Sequence, residues 1–209
     1  VLTGSRVELF YAGRRAPQEV AESFARVFAG HAPVRAAEVG TKPHPKPVQL
    51  REVTEEMDVT QGKLVIGLHT GILGTDPDYP ALTLLNAVLG SGMTSKLFVN
   101  VREKRSLCYY ASSAVERYKG IMQISSGIEF DKYETAKNAI FHELDECRQG
   151  RITEAELESA RRGVVSALRS ALDVPARLDD YYLGNAVAGG DRVETLLEKI
   201  SALTKDDLV

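Results

Sequence analysis

The sequence predicts an α+β fold: a two-layer α/β sandwich whose mainly antiparallel or mixed sheet carries helices on one face. Three observations carry that expectation. Strand-sized apolar or alternating segments recur between residues 6 and 128. The last third shows apolar stripes at helical spacing, opened by capping pairs. The chain has 209 residues, 44% hydrophobic and 26% charged, which is ordinary globular usage and long enough to bury a core.

In chain order, Arg6–Ala12 alternates apolar and polar residues up to Gly13 and reads as a strand. Pro17 suits a first helical position, and Val20, Phe24, Val27 and Phe28 follow at helical spacing until Gly30. Prolines 33, 43, 45 and 47 make residues 31–47 a surface connector inside a single domain of residues 1–209, because one strand and one helix before it could not bury a core. Strands are expected at Val48–Val53 and Lys63–Thr70. Leu64–Leu68, apolar on both faces, suits a central strand. Asp76-Pro77 opens a helix through Leu82, Leu85, Val88 and Leu89, closed by Gly90 as a C′ glycine. A second helix is expected from a Thr94 cap through Leu97, Phe98 and Val101. Strands Tyr109–Glu116 and Ile121–Ile128 then meet at a turn around Tyr118-Lys119-Gly120. Asp131 with Glu134, Thr153 with Glu156, and Asp191 with Glu194 are capping pairs for three helices, and Pro175–Ala188 is a fourth helical segment. Thr204 with Asp207 looks like a helix start at the very end, as expected of a piece of a longer protein.

Several function classes are disfavoured. Lys and Arg number 26 against 29 Asp and Glu, a net charge of −3, so a broadly basic nucleic-acid binder is not expected. No apolar run approaches the ~20 residues of a membrane-spanning helix, so no membrane partner is expected. The chain opens at Val1 without a secretory leader pattern, and a cytoplasmic location is expected. The 2 cysteines, Cys108 and Cys147, are too few for a disulfide framework or a structural zinc site.

Familiar catalytic motifs fail one by one. Gly90-Ser91-Gly92-Met93-Thr94-Ser95-Lys96 lacks the glycine that a phosphate loop needs before its lysine, and a tight helix-to-helix connection accounts for it. His142-Glu143-Leu144-Asp145-Glu146 has no second histidine for a zinc helix, so it reads as a solvated acidic face with Leu144 inward. His69, at a strand end, reads as a structural histidine. No serine stands in a Gly-x-Ser-x-Gly elbow. Cys108, between Leu107 and Tyr109, reads as a buried structural cysteine. Arg102, Lys104 and Arg105 suit the end of a helix, and Tyr109 and Tyr110 the start of a strand, for ordinary reasons of dipole and β-propensity.

As one pattern, residues 76–113, DPDYPALTLLNAVLGSGMTSKLFVNVREKRSLCYYASS, together with the later ITEAELESARRGVVSAL, say more. They resemble the second-domain signature of the M16 (pitrilysin/insulinase/mitochondrial processing peptidase-like) zinc metallopeptidase family: Leu-Gly-Gly-Gly, then Ser-Arg-Leu-Phe, then Arg-Glu-Lys-x-x-Leu-x-Tyr. Lys96 stands where Arg is common, and Ser106 and Cys108 where Gly and Ala are common.

The resemblance implies a LuxS/MPP-like metallohydrolase fold and a non-zinc domain, of a bacterial inactive-type subunit, that works beside a zinc-bearing M16 subunit or domain. It implies no metal ligands and no catalytic residue on this chain alone; the zinc, bound by His-x-x-Glu-His, lies in the partner. Arg102 and Tyr109 fall on the family's Arg/Tyr pair, which implies substrate binding: hydrogen bonds to the scissile or adjacent carbonyls of a peptide. The alternatives are a catalytically inert scaffold or interaction module, and half of an active homodimer whose His-x-x-Glu-His lies upstream.

Overall fold

The computed structural model describes residues 7–30, 42–43, 45–47 and 49–209. Its elements are α1 (Pro17–Phe28), β1 (Gly62–His69), α2 (Tyr79–Leu89), a π-helix (Leu97–Glu103), β2 (Cys108–Glu116), β3 (Ile121–Ile128), α3 (Tyr133–Arg148), α4 (Glu154–Leu172), α5 (Pro175–Ala188) and α6 (Val193–Ala202). Short 3₁₀ turns precede α3 and close the chain at Asp206–Leu208.

The strands form one antiparallel sheet in the order β1-β3-β2. β1 pairs with β3 from Gly62↔Ile128 to His69↔Ile121, and β2 with β3 from Cys108↔Ile128 to Glu116↔Ile121. Strand side chains alternate between faces, and here the alternation separates core from solvent. Leu64, Ala111, Ser113, Met122, Ile124 and Ser126 are buried on the helix-covered face, while Lys63, Val65, Ser112, Ala114 and Gln123 are exposed on the other. Leu84, Leu97, Val101, Ile140, Leu157 and Ile200 fill the helical layer, all fully buried. This is the helices-on-one-face sandwich that the sequence predicts.

The sheet departs from expectation in three places. Residues 7–12 form no strand, and Phe10 instead stacks on Tyr182 of α5 at 5.7 Å. Residues 49–53 form none either; Glu52 is held by side chains, accepting from Tyr133 Oη at 2.8 Å and Lys137 Nζ at 2.9 Å. Arg6 and Val48 lie outside the described residues, as do residues 31–41 and 44 of the proline-rich connector. The central strand is β3, not Leu64–Leu68. β1 is an edge, with Val65 58% exposed.

Helix starts divide by whether the capping side chain meets its backbone target. Thr153 and Glu156 form the reciprocal capping box of α4. The other pairs do not. Asp76 turns back to accept from Leu73 N–H at 2.7 Å, and α2 begins at Tyr79. Asp131 falls inside a 3₁₀ turn, and α3 begins after Lys132. Arg192, not Asp191, precedes α6, and the Asp191 carboxylate instead accepts from Lys199 at 2.7 Å. At the end of α2, Gly90 has φ −155°, not the left-handed value of a C′ glycine. It is glycine for space: a Cβ there would come within 2.6 Å of the Ser113 backbone nitrogen on β2.

Candidate functional site

The segment joining α2 to β2 is irregular throughout, and its irregularities set the site. After Gly90 the chain turns, and the Ser95 hydroxyl, not Thr94, reaches the next helix, accepting from Phe98 N–H at 3.4 Å. Thr94 Oγ1 accepts from Ser159 of α4 instead. Val99 N–H bonds Ser95 O, four residues back, at 2.9 Å, but Lys104 N–H bonds Val99 O, five back, at 3.0 Å. That widened turn is the π-helix. Leu97 and Val101 anchor it in the core.

Ser106 ends it with φ +48°, the left-handed region that disfavours any side chain. Ser106 N–H bonds Arg102 O at 3.1 Å and Leu107 N–H bonds Val101 O at 3.2 Å, satisfying terminal carbonyls as an αL helix end does. A left-handed residue here explains physically why glycine suits this position.

β2 then opens on a β-bulge. Cys108 pairs with Ile128 and Tyr110 with Gly127, so Tyr109 is an extra residue without a partner on β3. A bulge re-aims a side chain. Here Tyr109 and Tyr110 both face outward, 59% and 40% exposed, while Cys108 and Ala111 on either side turn toward the core. The Tyr110 ring crowds Gly127, where a Cβ would come within 2.5 Å of it.

These devices bring Arg102 and Tyr109 together. Both line one open cavity of about 280 Å³, shared with Glu103, Ser106, Cys108 and Glu129. Arg102 Nε donates to the Tyr109 carbonyl at 2.8 Å, Nη1 donates to Glu103 Oε1 at 2.7 Å, and the guanidinium lies 4.7 Å over the Phe98 ring. No described residue hydrogen-bonds the Tyr109 hydroxyl. Cys108 is half-buried at the cavity wall, not fully buried in the core; burial pushes its thiol up, against the lowering pull of Ser126 and Arg102. Lys132, paired with the lining residue Glu129, has its pKa raised, chiefly by that hydrogen bond.

Other candidates settle elsewhere. Cys147 is buried in α3, with its thiol pushed up to about 11 by burial. His142 is exposed, 3.9 Å from Glu146. Glu143, expected on a solvated face, is instead 3% exposed and accepts from Asn100 Nδ2 at 2.9 Å. Glu129, which lines the cavity, is not legible as a site residue, since its place there depends on a contact across the sequence. Among the described residues, no group of three or more His, Cys, Asp and Glu could hold a metal ion, and no helix is long and apolar enough to cross a membrane. His31 and His44 lie outside the described residues.

Residues 1–164 match the family described as Peptidase M16 inactive domain. The chain belongs to this family. The M16 resemblance read from residues 76–113 and the later ITEAELESARRGVVSAL is thereby shown. This M16 inactive domain is 37% identical over 163 residues, 78% of the chain, to the "Probable inactive metalloprotease YmfF" of Bacillus subtilis. It is 26% identical over 152 residues to an uncharacterized zinc protease of Streptomyces coelicolor. It spans 38% and 33% of those two proteins' lengths. Among solved structures, a conserved protein from Enterococcus faecalis is 28% identical, with TM-score 0.82 over 93% of this chain and 46% of that one. An M16 inactive domain from Pseudomonas fluorescens, 21% identical, shares the fold with TM-score 0.74 over 92% of this chain and 47% of that one.

Proposed function

We propose that this M16 domain supplies the peptide-binding side of a zinc peptidase whose metal lies in a partner domain or subunit. The described residues do not fit a zinc ion, so hydrolysis is assigned to the partner. One observation carries the reading: Arg102 and Tyr109 line the same open cavity, the phenol without a hydrogen-bonding neighbour among the described residues and the guanidinium fixed from behind. A fixed guanidinium edge and a phenolic O–H are donors suited to peptide carbonyl oxygens, including one that gains negative charge during hydrolysis. The Phe98 ring, 4.7 Å from the guanidinium, attracts its charge and shields it from water on that side.

The test is peptide hydrolysis by the full-length protein together with its zinc-bearing partner, comparing wild type with Tyr109→Phe and Arg102→Ala. Each loss removes one preorganised donor, so kcat/KM falls by about 10²–10³. A second reading, a catalytically inert scaffold, is favoured by the ion pair that already engages Arg102 with Glu103. Undiminished hydrolysis in both variants selects the scaffold.

A further inference from the structure

Glu143 is an unusual choice for its place. It is 3% exposed on the inner side of α3, in the same helix as the buried Ala139, Ile140 and Cys147, where leucine would pack without the cost of burying a carboxylate. The described residues give its carboxylate one hydrogen-bond partner, Asn100 Nδ2, in the middle of the π-helix. Asn100 Oδ1 in turn accepts from Lys104 Nζ at 3.0 Å, and Lys104 is the residue whose N–H makes the five-residue bond to Val99 O. One polar chain therefore runs from α3 through the centre of the π-turn to its last residue, and Arg102 lies inside that span.

We infer that Glu143 and Asn100 are positioning residues: their hydrogen bond holds the π-turn open and so aims Arg102 into the cavity beside Tyr109. The geometry supplies the reason. A π-turn carries one residue more than an α-turn, and each residue of an α-helix advances about 100° around the axis. If Lys104 N–H took the ordinary partner, Asn100 O, residues beyond the turn would rotate by about that angle. Arg102 would then lose the Tyr109 carbonyl, now 2.8 Å away, and its seat over Phe98. Asn100 sits inside the turn, and its bond to a carboxylate fixed in the core opposes the shift of its own carbonyl that this exchange of partners requires. The buried polar pair acts on conformational choice, not on net stability, the use for which buried polar groups are best attested.

This inference rests on the peptide-binding reading only for its functional consequence, and the test keeps the two apart. The probe is the Arg102 Nε–H proton, assigned by its disappearance in Arg102→Lys, whose exchange with water is slowed by the bond to Tyr109 O. Glu143→Gln retains an acceptor for Asn100 and is expected to keep wild-type protection. Glu143→Met and Asn100→Ala, compared at matched folded fraction, are expected to speed exchange at least about tenfold. Thr153→Ala, which weakens the distant α4 cap, serves as a structural control and leaves it unchanged. Unchanged protection in Asn100→Ala overturns the inference, whether or not Glu143→Met folds; so does loss of protection in Thr153→Ala, which would mean any destabilisation suffices. In the zinc-bearing assembly with quenched fluorogenic peptides, Asn100→Ala is expected to lower kcat/KM about as far as Arg102→Ala. Full activity of Arg102→Ala sinks the peptide-binding reading and leaves the exchange result to decide the positioning role.

Discussion

Helix α4 runs for 19 residues without a break, whereas the Lys96–Tyr110 segment, tied to it by the Lys96–Glu156 ion pair at 2.9 Å, departs from regular geometry at a π-turn, a left-handed serine and a β-bulge. The two differ in where their instructions come from. The start of α4 is specified by four adjacent residues, Thr153 to Glu156, which satisfy each other's backbone donors. The site segment takes its geometry from distant groups: the core around Leu97 and Val101, Glu143 on α3, and Ile128 and Gly127 on β3. Regular structure here is local, and the geometry of the candidate site is borrowed from the rest of the fold.

Breaking the borrowed support should therefore cost most. Leu97→Ala opens a cavity at a fully buried position and is expected to destabilise the chain by about 3 kcal/mol in urea denaturation. A loss below about 1 kcal/mol would show that the π-helix is not anchored through the core.

The tie between the two regions comes next. Lys96 is 6% exposed, so Lys96→Ala leaves the Glu156 carboxylate only its Thr153 hydrogen bonds, at a cost of about 2 kcal/mol, less than for a fully buried pair because Glu156 is 26% exposed and keeps those bonds. Burial raises the Glu156 pKa, but the hydrogen bonds from Lys96 and Thr153 outweigh it, and the net shift is downward from 4.5. A carboxylate held below its unfolded value contributes stability that is complete above that value and is lost as pH falls through the folded one. Wild type should accordingly lose stability on acidification below about 4.5, and Glu156→Gln should lose less between pH 7 and pH 3. Equal slopes in the two proteins would remove Glu156 from the account.

The local instruction is smaller. Thr153→Ala removes the cap of α4 and should cost about 1 kcal/mol, with the site untouched in peptide binding. The smallest effect has the opposite sign. Ser106→Gly relieves a left-handed strain of about 1–2 kcal/mol, offset by the ~0.5–1 kcal/mol that glycine's freedom adds to the unfolded chain. A net gain of roughly 0.5 kcal/mol should appear as a raised melting temperature. Destabilisation instead would mean that the Ser106 side chain makes a contact worth more than its strain.

The same contrast decides what could be read in advance. α1, α4, α5 and the β2–β3 hairpin were legible because periodicity, Pro17, Pro175 and the Thr153–Glu156 pair act over a few residues. The Asp131 and Asp191 pairs carried the same signal and failed, since a neighbouring turn or Lys199 offered those residues a competing place. The strands that alternation predicts at 7–12 and 49–53 do not form, because alternation gives a face but supplies no partner for the ladder. Arg102 and Tyr109 were legible only as a spacing within a resemblance; that they share one cavity was not.

The sequence by itself determined the layer design, the order of its main elements and the family, because hydrophobic period and short-range capping are properties of neighbours along the chain. Only the tertiary structure decided that β3 is central, that Glu143 is buried, and that Tyr109 sits on a bulge facing Arg102. Each of those depends on a partner far away in sequence, and an extra residue in a helix or strand is stable only where the packed fold around it leaves a place for it.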